Sequence, residues 1–212
     1  MKITNTEVFG LQRSIKASKY AMAVDIDKCN EDITKTVKGL GHSEGASGHP
    51  NFLKGIMIYA TFEAPQYFWL QWQRYHFNHS TPLSDIITSQ SKMHKILKMD
   101  LRKQCNKYTP LESIKVVEDL VYKYNNFDRY STNGKIMVEF ANGIDIVDKK
   151  ELFHCIVAAC PSGLNLSVEI VTNYLQIKNM YSQRNTHKLF DWKNDFCDWA
   201  ESLPKFKELI LE

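Results

Sequence analysis

The pattern of apolar and polar positions first becomes legible at Ile56–Ala64, where Ile, Met, Tyr, Thr and Phe run together up to Pro65, a composition that predicts a buried strand. Beyond Pro65 the period changes. Phe68, Trp69, Trp72 and Tyr75 recur at helical spacing, so a helix opens at the proline and turns one aromatic face inward. Residues 78–84 lose periodicity and read as a polar loop. The hydroxyls of Thr88–Ser91 then offer caps for another helix, since apolar spacing resumes at Met93, Ile96 and Leu97. Leu111–Tyr124 is an amphipathic helix by pattern, with Ile114, Val117, Leu120 and Val121 on one face.

Between 126 and 149, the apolar runs Lys135–Phe140 and Ile144–Val147 flank Asn142-Gly143, the signature of an inserted β-hairpin. Glu151–Ala159 reads as a short helix stopped by Pro161 and Gly163. Leu164–Val171 alternates as a strand, and Asn173–Gln183 and Leu189–Leu203 read as helices. His154, beside Phe153 and Cys155, is expected to lie in the core. Trp192 and Trp199, seven apart, are expected on a C-terminal amphipathic helix that docks on the rest.

Composition narrows the function classes. The 212 residues, 43% of them hydrophobic with only nine glycines, suffice for one folded domain with its own core. Lys and Arg number 27 against 24 Asp and Glu, a net charge of +3, which is too mixed for a dedicated nucleic-acid binder. The five cysteines (Cys29, Cys105, Cys155, Cys160, Cys197) show neither zinc spacing nor pairing, so no metal site is expected and a reducing cytoplasm fits. No stretch has the length and apolarity of a signal peptide or a membrane span.

Two stretches carry more chemistry than packing requires. Gln71-Trp72-Gln73-Arg74-Tyr75-His76 and Ser89-Gln90-Ser91-Lys92-Met93-His94 gather a guanidinium, imidazoles, carboxamides and hydroxyls. Arg is scarce in this Lys-rich chain (Arg13, Arg74, Arg102, Arg129 and Arg184), which favours a role for its planar fork. Such a set suits a planar polyanion, with Arg on phosphate or carbonyl oxygens, amides on amide edges, and hydroxyls on phosphate. The plainer reading is a solvated helix end and a capped turn. The aromatics of Tyr67–Trp72 read as core rather than a stacking platform, and Lys92–Lys103 as a solvated face.

These residues resemble the flavin-dependent thymidylate synthases. That family carries a Gly-His segment, a strand ending in Ala-Pro, a Gln-Trp-x-Arg-His-Arg motif and a Ser-containing nucleotide loop. This chain reads GHPNFLKGIMIYATFEAP from Gly48 and then Gln71-Trp72-Gln73-Arg74. Near the C-terminus, Cys160-Pro161 is followed by Asn173, Asn179 and Arg184, six and then five positions apart, and Ile15-Lys16-Ala17-Ser18 is similar to the family's flavin-phosphate segment.

The resemblance implies an α/β (α+β) fold, a central antiparallel sheet flanked by helices, assembled as a homotetramer that binds FAD between subunits. It implies transfer of a one-carbon unit from methylenetetrahydrofolate, a folate, to C5 of dUMP or a related pyrimidine deoxynucleotide monophosphate, with NADPH as reductant. Arg184 and Ser91 would be catalytic. Ser18, Arg74, Tyr75, His76, Asn173 and Asn179 would hold the flavin, and Gln71, Ser89, Gln90, Ser91, Lys92, His94 and Arg184 the nucleotide. Where the family has Arg-His-Arg this chain has Arg74-Tyr75-His76, and Met93 stands where an Arg follows the loop serine. The alternative is a non-catalytic nucleotide- or protein-binding homologue that has lost the flavin.

Overall fold

The computed structural model describes residues 1–77, 85–88, 93–140 and 142–212. The contacts divide the chain into two compact units: Met1–Ala64 with Phe68–Ser89 and Ser167–Glu212, and Pro65–Tyr67 with Gln90–Leu166.

The first unit is built on an antiparallel sheet. Strands β1 (Lys2–Phe9) and β2 (Met57–Pro65) pair with Lys2 opposite Glu63 and Phe9 opposite Met57. After the hairpin strands β4 (Ile136–Phe140) and β5 (Gly143–Val147) of the second unit comes β6 (Asn165–Asn173), whose far edge pairs with the two-residue β3 (Asp85–Ile86). The resulting order is β1-β2-β6-β3. Period-two alternation decides which face is buried. Ile58, Ala60, Phe62 and Ala64 of β2 and Leu166, Val168 and Ile170 of β6 point into the core, while Tyr59 and Glu63 face out. The edge strand β1 breaks register between Thr4 and Glu7, where Asn5 takes a positive φ of 52°, a conformation that Asn tolerates and that twists an exposed edge.

Helices α1 (Leu11–Ala17), α2 (Lys35–His42), α3 (Gln66–Trp72), α8 (Tyr174–Arg184) and α9 (Cys197–Ser202) accompany the sheet. The strand over Ile56–Ala64 and the helix after Pro65 are therefore present, and Phe68, Trp69, Trp72 and Tyr75 are all buried as the spacing requires. The aromatic core is continuous. Phe62 meets Trp72 at 5.3 Å and Trp199 at 5.0 Å edge-on, and Phe68 stacks on Trp192 at 4.2 Å. The C-terminal amphipathic segment docks here as a π-helical turn, Asp191–Phe196, running into α9.

The second unit holds α4 (Leu101–Gln104), α5 (Leu111–Asn125), α6 (Phe127–Tyr130), the β4–β5 hairpin and α7 (Lys149–Ala158). Helix α5 buries Ile114, Val117 and Leu120, and the hairpin turns at Asn142-Gly143 with Gly143 at φ 123°. A capping box starts α7: the Asp148 carboxylate accepts from the Lys150 and Glu151 backbone, and the Glu151 carboxylate accepts from the Asp148 N–H. Arg102 forks onto Glu118 through two 2.9 Å bonds, in keeping with a solvated basic face. One expectation is corrected: His154 is exposed, because Leu152 and Ile156 take the buried face of α7 and the histidine falls between them. Thr88 also differs from its expected use. It caps no helix; its hydroxyl accepts from the Glu169 N–H at 3.0 Å, extending the sheet edge. Among the described residues no helix is long and apolar enough to cross a membrane.

Gly41, in the last turn of α2, lies against the chain's end: a Cβ there would stand 2.1 Å from the Leu209 carbonyl oxygen. Gly41→Ala is therefore expected to destabilise the protein by about 2 kcal/mol, the usual scale for overpacking, whereas the uncrowded Gly39→Ala should not. Thermal melts of the two variants compare them directly.

Candidate functional site

Helix α8 grows straight out of β6, and its start is fixed by the residue at the junction. Asn173, 1% exposed, accepts the Gln176 N–H at 2.9 Å through its side-chain oxygen, satisfying one of the donors that a helix N-terminus leaves open. Its amide nitrogen, by contrast, is buried without a partner among the described residues. One turn on, Lys178 donates to the Gly41 and Ser43 carbonyls at 2.6 and 2.5 Å, closing the C-terminus of α2, and burial lowers its pKa. Asn179 comes next. It is half-buried over Gly45, where a Cβ would approach its Oδ1 to 3.0 Å, and its amide makes no hydrogen bond among the described residues.

At the other end of α8, Arg184 meets the segment that follows α3. Gln71 lies at the end of α3, half-buried, with its Oε1 buried and unpartnered. Arg74 and Tyr75 follow in the 3₁₀ turn Gln73–Phe77. Arg74 is exposed and has no partner among the described residues. Tyr75 is 3% exposed, and its hydroxyl accepts the Arg184 Nε–H at 2.6 Å while donating to Gln183 Oε1 at 3.2 Å. The Gln176 amide donates to the Tyr75 carbonyl at 3.2 Å. Trp192 completes the arrangement: the Arg184 guanidinium lies over its ring at 4.5 Å and at 5.3 Å from that of Tyr75. Burial pushes the Tyr75 phenol upward, against the lowering pull of Arg184, so it stays protonated at neutral pH. The half-buried Arg184 keeps both terminal amino groups unpartnered among the described residues.

The structure thus brings Tyr75 and Arg184 together and puts Asn173, Asn179 and Arg184 on one helix. Ser18, at the C-terminus of α1, donates its hydroxyl to the Ile15 carbonyl at 2.7 Å. His94 is exposed in the second unit. Ser89, Gln90, Ser91 and Lys92 lie outside the described residues, as do the side chains of His76 and Met93. The sequence reading missed Trp192, Gln183 and Gln176 as parts of this cluster. Trp192 carried a signal only for packing, and neither glutamine had any. Among the described residues no group of His, Cys, Asp or Glu is arranged to hold a metal.

No protein-family model matches the chain, and no curated protein does. Solved structures do. Thymidylate synthase X (ThyX) from Helicobacter pylori with FAD and dUMP superposes with a TM-score of 0.66 at 12% identity, covering 100% of this chain and 98% of that one. A second structure, flavin-dependent thymidylate synthase ThyX from the same organism complexed with FAD and dUMP, gives 0.64 at 9% identity with the same coverage. The chain therefore shares that fold along its whole length.

The capping oxygen and the unpartnered amide of Asn173 can be separated by substitution. Asn173→Ala should cost about 1 kcal/mol through loss of the helix cap, while Asn173→Ser, which keeps an acceptor oxygen, should retain most of that stability and lack only the free amide. Denaturant unfolding of both variants is the check.

Proposed function

We propose that the chain is a flavin-dependent enzyme that moves a one-carbon unit from methylenetetrahydrofolate to C5 of a pyrimidine deoxynucleotide monophosphate, dUMP or a close relative, with NADPH as reductant. Neighbouring copies in a homotetramer would complete its site. The observation that carries this reading is the fork of Arg184, unpartnered among the described residues and held on α8 of a chain whose full length follows the fold of enzymes solved with FAD and dUMP.

The polar groups left without partners fit a flavin nucleotide. Among the described residues, Asn173 offers a buried amide donor, Asn179 an amide without a partner above a residue with no side chain, and Arg74 an uncommitted guanidinium for phosphate. Ser18 has its proton engaged and would serve only by exchanging that bond. FAD, when bound, supplies the carrier chemistry for the one-carbon unit and the hydride.

This chain's own residues orient and polarise. Arg184, a permanent cation, would hold the pyrimidine and favour negative charge developing on the ring. Gln71 would present its unpartnered carbonyl oxygen to the nucleotide, and Ser91, with Ser89, Gln90, Lys92 and His94, would meet the base and phosphate. His76 would join Arg74 at the flavin.

A second reading has its own support: Tyr75 stands where the resembled motif has an imidazole and is wholly engaged with Arg184 and Gln183. On that reading the chain binds a nucleotide without flavin chemistry.

Thermal-shift titration with FAD, dUMP and both, followed by product mass after addition of methylenetetrahydrofolate and NADPH, tests the two. Joint stabilisation and a mass gain on the nucleotide are expected, and Arg184→Ala should lower turnover by roughly two to three orders of magnitude. Stabilisation by dUMP alone with no product would favour the binding protein. Indifference to both ligands would remove both readings.

A further inference from the structure

We infer that Tyr75 is a positioning residue for Arg184: its phenol fixes the plane of the guanidinium so that the ligand is met end-on, through the two terminal amino groups alone. The identity of that ligand rests on the nucleotide reading above.

A guanidinium has five N–H donors and can fork in two ways, side-on through Nε and one amino group or end-on through both amino groups. Here the side-on edge is closed, because the Nε–H is given to the Tyr75 hydroxyl at 2.6 Å. One face is closed as well, since Trp192, itself 0% exposed, lies under the Arg184 Cζ at 4.5 Å. What remains is the end-on fork, for which the described residues supply no acceptor. Such a fork matches two phosphate oxygens or a carboxylate in its own plane, or a single pyrimidine carbonyl oxygen that accepts from both amino groups.

Tyr75 is suited to hold this geometry because it cannot swing. Its ring is 3% exposed, its carbonyl is bonded by Gln176, and its hydroxyl proton is directed to Gln183 Oε1, so three residues of α8 grip it. A phenol accepts and donates at the same atom, which lets one oxygen serve Arg184 and Gln183 together. Phenylalanine would keep the packing and lose both bonds.

The test reads the fork directly. In 15N NMR of the full chain, the Arg184 Nε–H should exchange slowly with water in the wild type, and Tyr75→Phe should speed that exchange about tenfold or more while the melting temperature falls by only a few degrees. Binding of dUMP, followed by calorimetry, should weaken roughly tenfold in the same variant. Gln183→Ala, at an exposed position, should move both readouts less and in the same direction, and it gives the answer if Tyr75→Phe fails to fold. Unchanged Nε–H exchange in a folded Tyr75→Phe, or faster exchange with dUMP affinity intact, overturns the inference. A wild type indifferent to dUMP, whose Nε–H still loosens in Tyr75→Phe while inorganic phosphate binds more weakly to the variant, would sink the nucleotide reading and leave the positioning role standing.

Discussion

The stack of Phe68, Trp192 and the Arg184 guanidinium is the contact on which the candidate site depends. Phe68 meets Trp192 at 4.2 Å nearly face to face, and Arg184 covers that indole at 4.5 Å. One end of the stack is therefore rooted in α3 and the sheet's buried face, and the other ends in a charge. A cation held over an aromatic face in a partly dehydrated place keeps more of its attraction than the same pair in water, and the indole gives it a flat bed without competing for its hydrogen bonds. Were the tryptophan smaller, the guanidinium would lose its floor.

Helix α8 is held at three points along its length. Its first turn is pinned by Asn173, its middle by Lys178 on the two carbonyls that end α2, and its last turn by Tyr75. Each anchor uses a polar group to satisfy backbone or charge that would otherwise be orphaned in a half-buried setting. Rigidity is the product: amides and guanidinium lie at set heights along one rod.

The sequence made most of the sheet and helices legible where periodicity was strong. The strand before Pro65, the aromatic face after it, the amphipathic α5, the Asn-Gly hairpin and the strand leading into α8 all follow from local pattern. The N-terminal strand β1 was not legible, because its side chains are mostly exposed and Asn5 interrupts its alternation. His154 was misplaced since a histidine between apolar neighbours looks buried until the helix phase is known. Of the candidate site, Arg184 and the two asparagines stood out only through the resemblance to a family motif, since nothing in their own pattern marks them. The bond from Arg184 to Tyr75 was not legible, because it joins positions 109 apart through a fold that spacing alone does not draw.

The sheet's far edge carries a lesson of its own. Strand β3 is only two residues long, and just beyond it Ile87 still donates its N–H to the Glu169 carbonyl while the Thr88 hydroxyl takes the Glu169 N–H. A side chain has replaced the next rung of backbone. With donor and acceptor of Glu169 both taken, an incoming strand from another molecule finds no ladder to climb at that rung of the folded edge.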